Sequence, residues 1–252
     1  IEVSRLIEKN GFPFFSHVSE GMYREKDIEE FVWGLGAKEK HLSENLSMLW
    51  SQKSFDLATA YFPDTRKKFR ISGAVGFDKY KFLESKKLNS RKYKKIIGYA
   101  AFDFHNVKAK QKLFGEDNFN KIMSLSKIAN KILKYLIQKN PDILFILKQH
   151  PGDGENVISM EFEDIADCQN IQIIKNDISI VDVIGCSDIW LNINSSTNLE
   201  AWLMNKPSIS FQTDEDSFSS DVLLGSVIEN DCDCIQKYIN EYYVTGSIKI
   251  FN

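Results

Sequence analysis

The 252-residue chain is 43% hydrophobic and 27% charged, the makeup of a globular protein that buries one large core or two ordinary ones, and this excludes a disordered chain. Its 32 basic and 35 acidic residues leave a formal charge of −3. No whole-protein field therefore recruits polyanions, and nucleic acid is not expected as a partner despite the local clusters "RKKFR" and "SRKYKK".

The first ninety residues are irregular in pattern. "GFPFFSHVS" and "EEFVWG" read as strands, "AKEKHLSENLSMLWSQ" (Ala37 to Gln52) as a helix, and "KKFRISG" as a short closing strand, which together look like the last half of an α/β domain. A polar, lysine-rich stretch, "DKYKFLESKKLNSRKYKK", reads as the linker that follows. The expected division is a partial domain at 1–78, a linker at 79–93 and a second domain at 94–252.

From Lys94 strands and helices alternate. "KKIIGYAAF" is a strand, and "NFNKIMSLSKIANKILKYLIQKN" has helical spacing, with Asn140 and Pro141 ending it. "DILFILKQ" is apolar nearly throughout, as a strand covered on both faces is. "IQIIK" is a third strand, "SIVDVIGCS" a helix, "DIWLNI" a fourth strand, "SSTNLEAWLMN" a helix and "PSISF" a fifth strand. Such alternation calls for parallel pairing through right-handed crossovers, hence a doubly wound α/β domain.

No run approaches the roughly 20 apolar residues that cross a bilayer, and no signal peptide is visible. The chain opens at Ile1 without a methionine, which reads as a start inside a longer polypeptide. Cys168, Cys186, Cys232 and Cys234 lack paired CxxC spacing, so they read as reduced thiols of a cytoplasmic protein. "DCDC" has no histidine near it, and "DED" (Asp214 to Asp216) and "DCD" (Asp231 to Asp233) read as solvated surface, so no metal site is expected.

In an open parallel sheet, ligands bind beyond the carboxyl ends of the strands. That rule nominates Asn106 after the first strand of the second domain, Lys148, His150 and Pro151 after the second, and Asn194, Ser195 and Ser196 after the fourth. Two serines opening a helix suit a phosphate, because hydroxyls and unpaired backbone N–H groups converge there. Thr197 with Glu200 three residues on is equally a capping box that does no more than start the helix. Lys148 and His150 offer a cation and an imidazole to the same phosphate, against the alternative of a solvated lysine and a loop histidine.

"ILKQHP", followed by "DIWLNINSSTNLEAWLMNKPSI", resembles the C-terminal nucleotide-binding domain of GT-B glycosyltransferases. Upstream, "FVWG", "ISGAVGFD" and "IIGYAAFDFHN" fall in the order seen in bacterial surface carbohydrate biosynthesis proteins, although Ala74, Val75 and Gly76 stand where that pattern has Asn-Pro-Arg. The resemblance implies a GT-B-like fold of two Rossmann-type doubly wound domains, the N-terminal one incomplete here. It also implies that His150 and Lys148 neutralise the donor phosphate, that Ser195 and Ser196 hold it, and that Glu200 reaches the ribose. Ser19-Glu20-Gly21 is similar to the acidic-acidic-Gly motif of sialyltransferases and Kdo transferases, which implies Glu20 as catalytic carboxylate and a CMP-linked sugar as donor. Without the resemblance, Glu20 is a polar turn residue.

The function so implied is transfer of a sugar from a nucleotide-activated donor to a glycan or glycolipid acceptor. No cofactor is expected beyond the nucleotide-sugar co-substrate, and peripheral association with a membrane assembly complex is compatible with it. The alternatives are a CDP-glycerol-type polyol-phosphate transferase and a non-catalytic scaffold in polysaccharide assembly.

Overall fold

A computed structural model describes residues 2–17, 42–82, 92–100, 116–150, 162–165, 167–175, 178–193, 195–211 and 226–248. The chain divides into two compact units, Ile1–Lys79 and Tyr80–Asn252.

The first unit contains a parallel sheet ordered β1 (Phe15–His17), β2 (Leu46–Leu49) and β3 (Phe69–Ile71), with helices α1 (Glu2–Lys9) and α2 (Gln52–Tyr61). Its core is Leu42, Leu49, Ala58, Phe62 and Phe69. The helix expected over Ala37 to Gln52 is corrected here, because residues 46–49 are a strand and the helix begins only at Gln52. Leu46, Ser47, Met48 and Leu49 lie between β1 and β3, so both backbone edges are paired, and that pairing overrides the helical preference of Leu and Met. Ser51 caps α2, its hydroxyl accepting from the Ser54 N–H at 3.2 Å. In the "GAVG" loop Gly73 and Gly76 have φ of +79° and +86°, a backbone that side-chain-bearing residues avoid.

The second unit contains six parallel strands among the described residues: β4 (Lys95–Ala100), β5 (Ile143–Lys148), β6 (Ile171–Ile174), β7 (Ile189–Asn192), β8 (Ser208–Ser210) and β9 (Ser226–Ile228). Their spatial order is β6-β5-β4-β7-β8-β9. Counted from β4 this is third, second, first, fourth, fifth, sixth, the doubly wound order whose direction reverses between β4 and β7. The sequence pattern predicts five strands; β9, only three residues long, is the sixth.

Helices cover both faces. Ile97, Tyr99, Phe145, Leu147, Ile189 and Leu191 pack with Leu125, Ile132, Leu133 and Leu136 of α3 (Glu116–Lys139) and with Ile235 and Ile239 of α6 (Cys232–Thr245). On the opposite face Ile96, Leu144, Ile146 and Trp190 pack with Val183 and Ile184 of α4 (Ile180–Cys186) and Ala201 of α5 (Thr197–Leu203). Every residue of β5 is buried, which is why Ile143 to Leu147 are all apolar, and each of those five side chains contributes roughly 1.5–3 kcal/mol. Asn140 and Gln236 exchange amide hydrogen bonds of 2.7 and 2.9 Å, tying the end of α3 to α6. Asp231 caps α6, accepting from the N–H groups of Asp233 and Cys234 at 3.0 and 2.9 Å, and Asp233 pairs with Lys139 at 3.3 Å. "DCD" thus starts a helix.

Gly98 lies in β4 beside Trp190, and a Cβ there would come within 2.5 Å of the indole ring. Gly98→Ala is expected to destabilise the protein by about 1–3 kcal/mol, read as a lower midpoint in urea with unchanged m; an unchanged midpoint would show that the indole has room to move.

Candidate functional site

The strand register sets Lys148, Ala100 and Asn192 side by side, because Ala100 of β4 pairs with Lys148 of β5 on one side and Asn192 of β7 on the other. This row is the carboxyl edge at the point where the sheet reverses, the place where doubly wound sheets take ligands.

Lys148 is only 6% exposed. Its ammonium donates to the carbonyl of Lys175, just past β6, which offsets part of the cost of burying a cation. Gln149 is still in the ladder, its N–H donating to the Ile174 carbonyl at 2.9 Å, and its side chain is buried. His150, half-buried, is the first residue clear of the sheet. "ILKQHP" therefore sends a histidine out of the edge while the lysine folds back under it.

Across β4, the start of α5 is built by a relay of side chains. The Trp190 indole N–H donates to Thr197 Oγ1 at 3.1 Å, and that hydroxyl donates to Ser195 Oγ at 2.9 Å. Ser195 Oγ also accepts from the Thr197 N–H at 3.3 Å. Because Ser195 accepts in both bonds, its own O–H remains available as a donor, and a chain of bonds pointing one way strengthens its last donor. Ser196, exposed, is the N-cap, with helical φ and ψ and no side-chain cap bond. The Asn198 and Leu199 N–H groups are taken by the carbonyls of Ser195 and Ser196 at 3.2 and 3.0 Å. The helix start therefore offers hydroxyls more than backbone donors.

Beneath it lies a buried polar network. Asn192 Nδ2 donates to Asn198 Oδ1 at 2.8 Å, and Ser210 Oγ donates to Asn192 Oδ1 at 3.2 Å. Asn198 Nδ2 donates to Ser226 Oγ, which lies 2.6 Å from Ser208 Oγ. All five side chains are buried, and with partners in place they fix α5 against β7, β8 and β9. Asn198 was missed in the sequence reading. Its signal lay in "PSISF", where alternation sets Ser208 and Ser210 on one face, the face that Asn192 shares by register.

Glu200, half-buried on α5, is bonded by the hydroxyl of Tyr80, itself 4% exposed. The Thr197–Glu200 capping box is not what starts this helix, since Thr197 is its first helical residue rather than its cap. Burial, and then the charge and hydrogen bond of Glu200, hold the Tyr80 hydroxyl well above the ordinary tyrosine pKa. Tyr80, too, carried no signal in the sequence. Glu20, Asn106, Pro151 and Asn194 lie outside the described residues.

No family model matches the chain, and no curated protein matches it. Solved structures do match, and they are GT-B-type α/β folds with parallel sheets. The chain is similar to MnaA of S. aureus with UDP (16% identity, TM-score 0.61, 95% of this chain and 61% of that one). It is likewise similar to the UDP-GlcNAc 2-epimerase of Methanocaldococcus jannaschii in complex with UDP-GlcNAc and UDP (13%, TM-score 0.60, 99% and 68%). A third is Anabaena HepE in complex with UDP and glucose (11%, TM-score 0.53, 98% and 67%). At these identities the likeness is one of fold, and the chain spans about 61–68% of the length of these proteins. No helix among the described residues is long and apolar enough to cross a membrane.

Tyr80→Phe removes one bond to a carboxylate and is expected to cost about 1–2 kcal/mol at neutral pH. The folded state holds the Tyr80 proton more tightly than the unfolded state, so this contribution is intact below pH about 10 and declines as the pH rises above it. Wild type should therefore lose stability above that pH more steeply than Tyr80→Phe, measured as urea midpoints between pH 8 and 11; parallel profiles would refute the assignment.

Proposed function

We propose that this chain binds a nucleotide-activated sugar at the carboxyl edge of β4, β5 and β7 and takes part in transferring the sugar to a glycan or glycolipid acceptor. The observation that carries the reading is the reversal of strand order at β4 and β7, with His150 following β5 on one flank and Ser195, its hydroxyl hydrogen still available, following β7 on the other. A uridine-linked donor is favoured over the CMP-linked one implied by Ser19-Glu20-Gly21, because the solved neighbours hold UDP or UDP-GlcNAc.

Negative charge grows on the phosphate as the bond to the anomeric carbon breaks, and donors aimed at that charge lower the barrier. His150 gives a ring N–H to it, Ser195 and Ser196 give O–H groups, and Lys148 adds its charge from beneath the edge. Glu200 accepts from a ribose hydroxyl beside the Tyr80 bond, a carboxylate having room for both. Pro151, Asn106 and Asn194 are the further donor-binding residues of this reading. Glu20 supplies the carboxylate that deprotonates the acceptor hydroxyl or attacks the anomeric carbon.

A second reading, epimerisation of a UDP-sugar at its second carbon, is favoured by the name of the Methanocaldococcus neighbour. The two part in their products: transfer releases nucleotide only when acceptor is present, whereas epimerisation yields a new sugar nucleotide without acceptor, visible by proton NMR.

Calorimetry with UDP, UDP-GlcNAc, CMP and CDP tests the site. Uridine nucleotides are expected to bind, with His150→Ala weakening them at least tenfold, about 1.4 kcal/mol. Cytidine binding alone would restore the CMP donor, and silence with all four would end the nucleotide reading and leave the scaffold.

A further inference from the structure

A groove of about 560 Å³ runs along the outer side of α3, the helix on the face of the sheet opposite α5. The sugar-nucleotide chemistry makes no use of it. Lys127, Lys131 and Lys134 line it, spaced i, i+4 and i+7 so that they share one side of the helix and span about 10 Å of its axis. Lys134 is neutralised, its Nζ 2.7 Å from the Asp164 carboxylate and 5.7 Å from the Phe162 ring centroid. Lys127 and Lys131, both exposed, form no hydrogen bond or ion pair with any described residue.

Like charges one turn apart repel and oppose the helix that carries them. A chain of net charge −3 keeps two such charges here, beside the amides of Asn130 and Gln138 on the same wall. Amides donate to and accept from hydroxyl groups, while the two ammonium groups meet anions. The volume is that of a small-molecule site. Two uncompensated cations are far fewer than a membrane surface or a nucleic acid strand engages.

We propose that this groove binds a short acidic oligosaccharide, its hydroxyls on Asn130 and Gln138 and its negative charges, carboxylate or phosphate, on Lys127 and Lys131. The choice of a sugar rests on the glycan-assembly reading above; the anion site itself rests on the groove alone.

The test titrates the protein with trigalacturonate, a glycerol-phosphate trimer and neutral maltotriose at low salt, beside UDP. One or both acidic probes should bind, the tighter naming the charged group, and maltotriose should not. Lys127→Gln/Lys131→Gln should weaken acidic binding at least tenfold, leave the UDP titration unchanged and not lower the melting temperature, since both side chains are exposed and their mutual repulsion is relieved. Equal binding of maltotriose, equal binding by the double variant, or failure of both acidic probes would overturn the proposal. Lysine-dependent association with phosphatidylglycerol vesicles, with neither oligosaccharide bound, would transfer the surface to a membrane. Should UDP fail while an acidic probe behaves as stated, the groove stands and the nucleotide reading falls.

Discussion

Gly98 has no side chain, and the indole of Trp190 lies in the space so left, against the strand at the centre of the sheet. The ring is fully buried, so its N–H must find an acceptor, and it finds Thr197. That bond sets the rotamer of the first residue of α5, and the threonine hydroxyl in turn sets Ser195. A packing contact in the middle of the domain therefore determines which way a hydroxyl faces at its rim. Ser195 precedes the helix, but its hydroxyl is tied to the first helical residue by two hydrogen bonds, which fixes its orientation in advance.

Around this relay, polarity is buried on purpose. On the α4 and α5 face β7, β8 and β9 carry Asn192, Ser208, Ser210 and Ser226, with Asn198 of α5 above them, where aliphatic side chains would pack. Five polar groups in an apolar layer are costly unless each is partnered, and here each is. Such a network tolerates few arrangements, so it specifies one position for α5 where an aliphatic layer would permit several.

Much of the second unit was legible in the sequence, because its inner strands are buried on both faces and its long helix repeats at the helical period. "DILFILKQ" and "NFNKIMSLSKIANKILKYLIQKN" leave little choice. Short strands were harder. Leu46 to Leu49 has the composition of a helix and becomes a strand only because β1 and β3 stand on either side of it, which no local window contains. The candidate site divides in the same way. Strand ends and a helix start can be read from periodicity, and so Lys148 and His150 could be placed at the end of β5 and Ser195 and Ser196 before α5. That Lys148 folds back to Lys175, or that Tyr80 reaches Glu200 across more than a hundred residues of chain, depends on distances that exist only after folding.

The ammonium of Lys148 on the carbonyl of Lys175 has a counterpart on the far side of the sheet, where Ser226 of β9 is held by Asn198. The two outermost strands are thus each fastened by a side chain reaching from an inner element, in addition to their own ladder bonds. A sheet moored at both margins resists fraying from its rims, where an outer strand has ladder bonds on one side alone. The row formed by Lys148, Ala100 and Asn192 lies between these two fastenings.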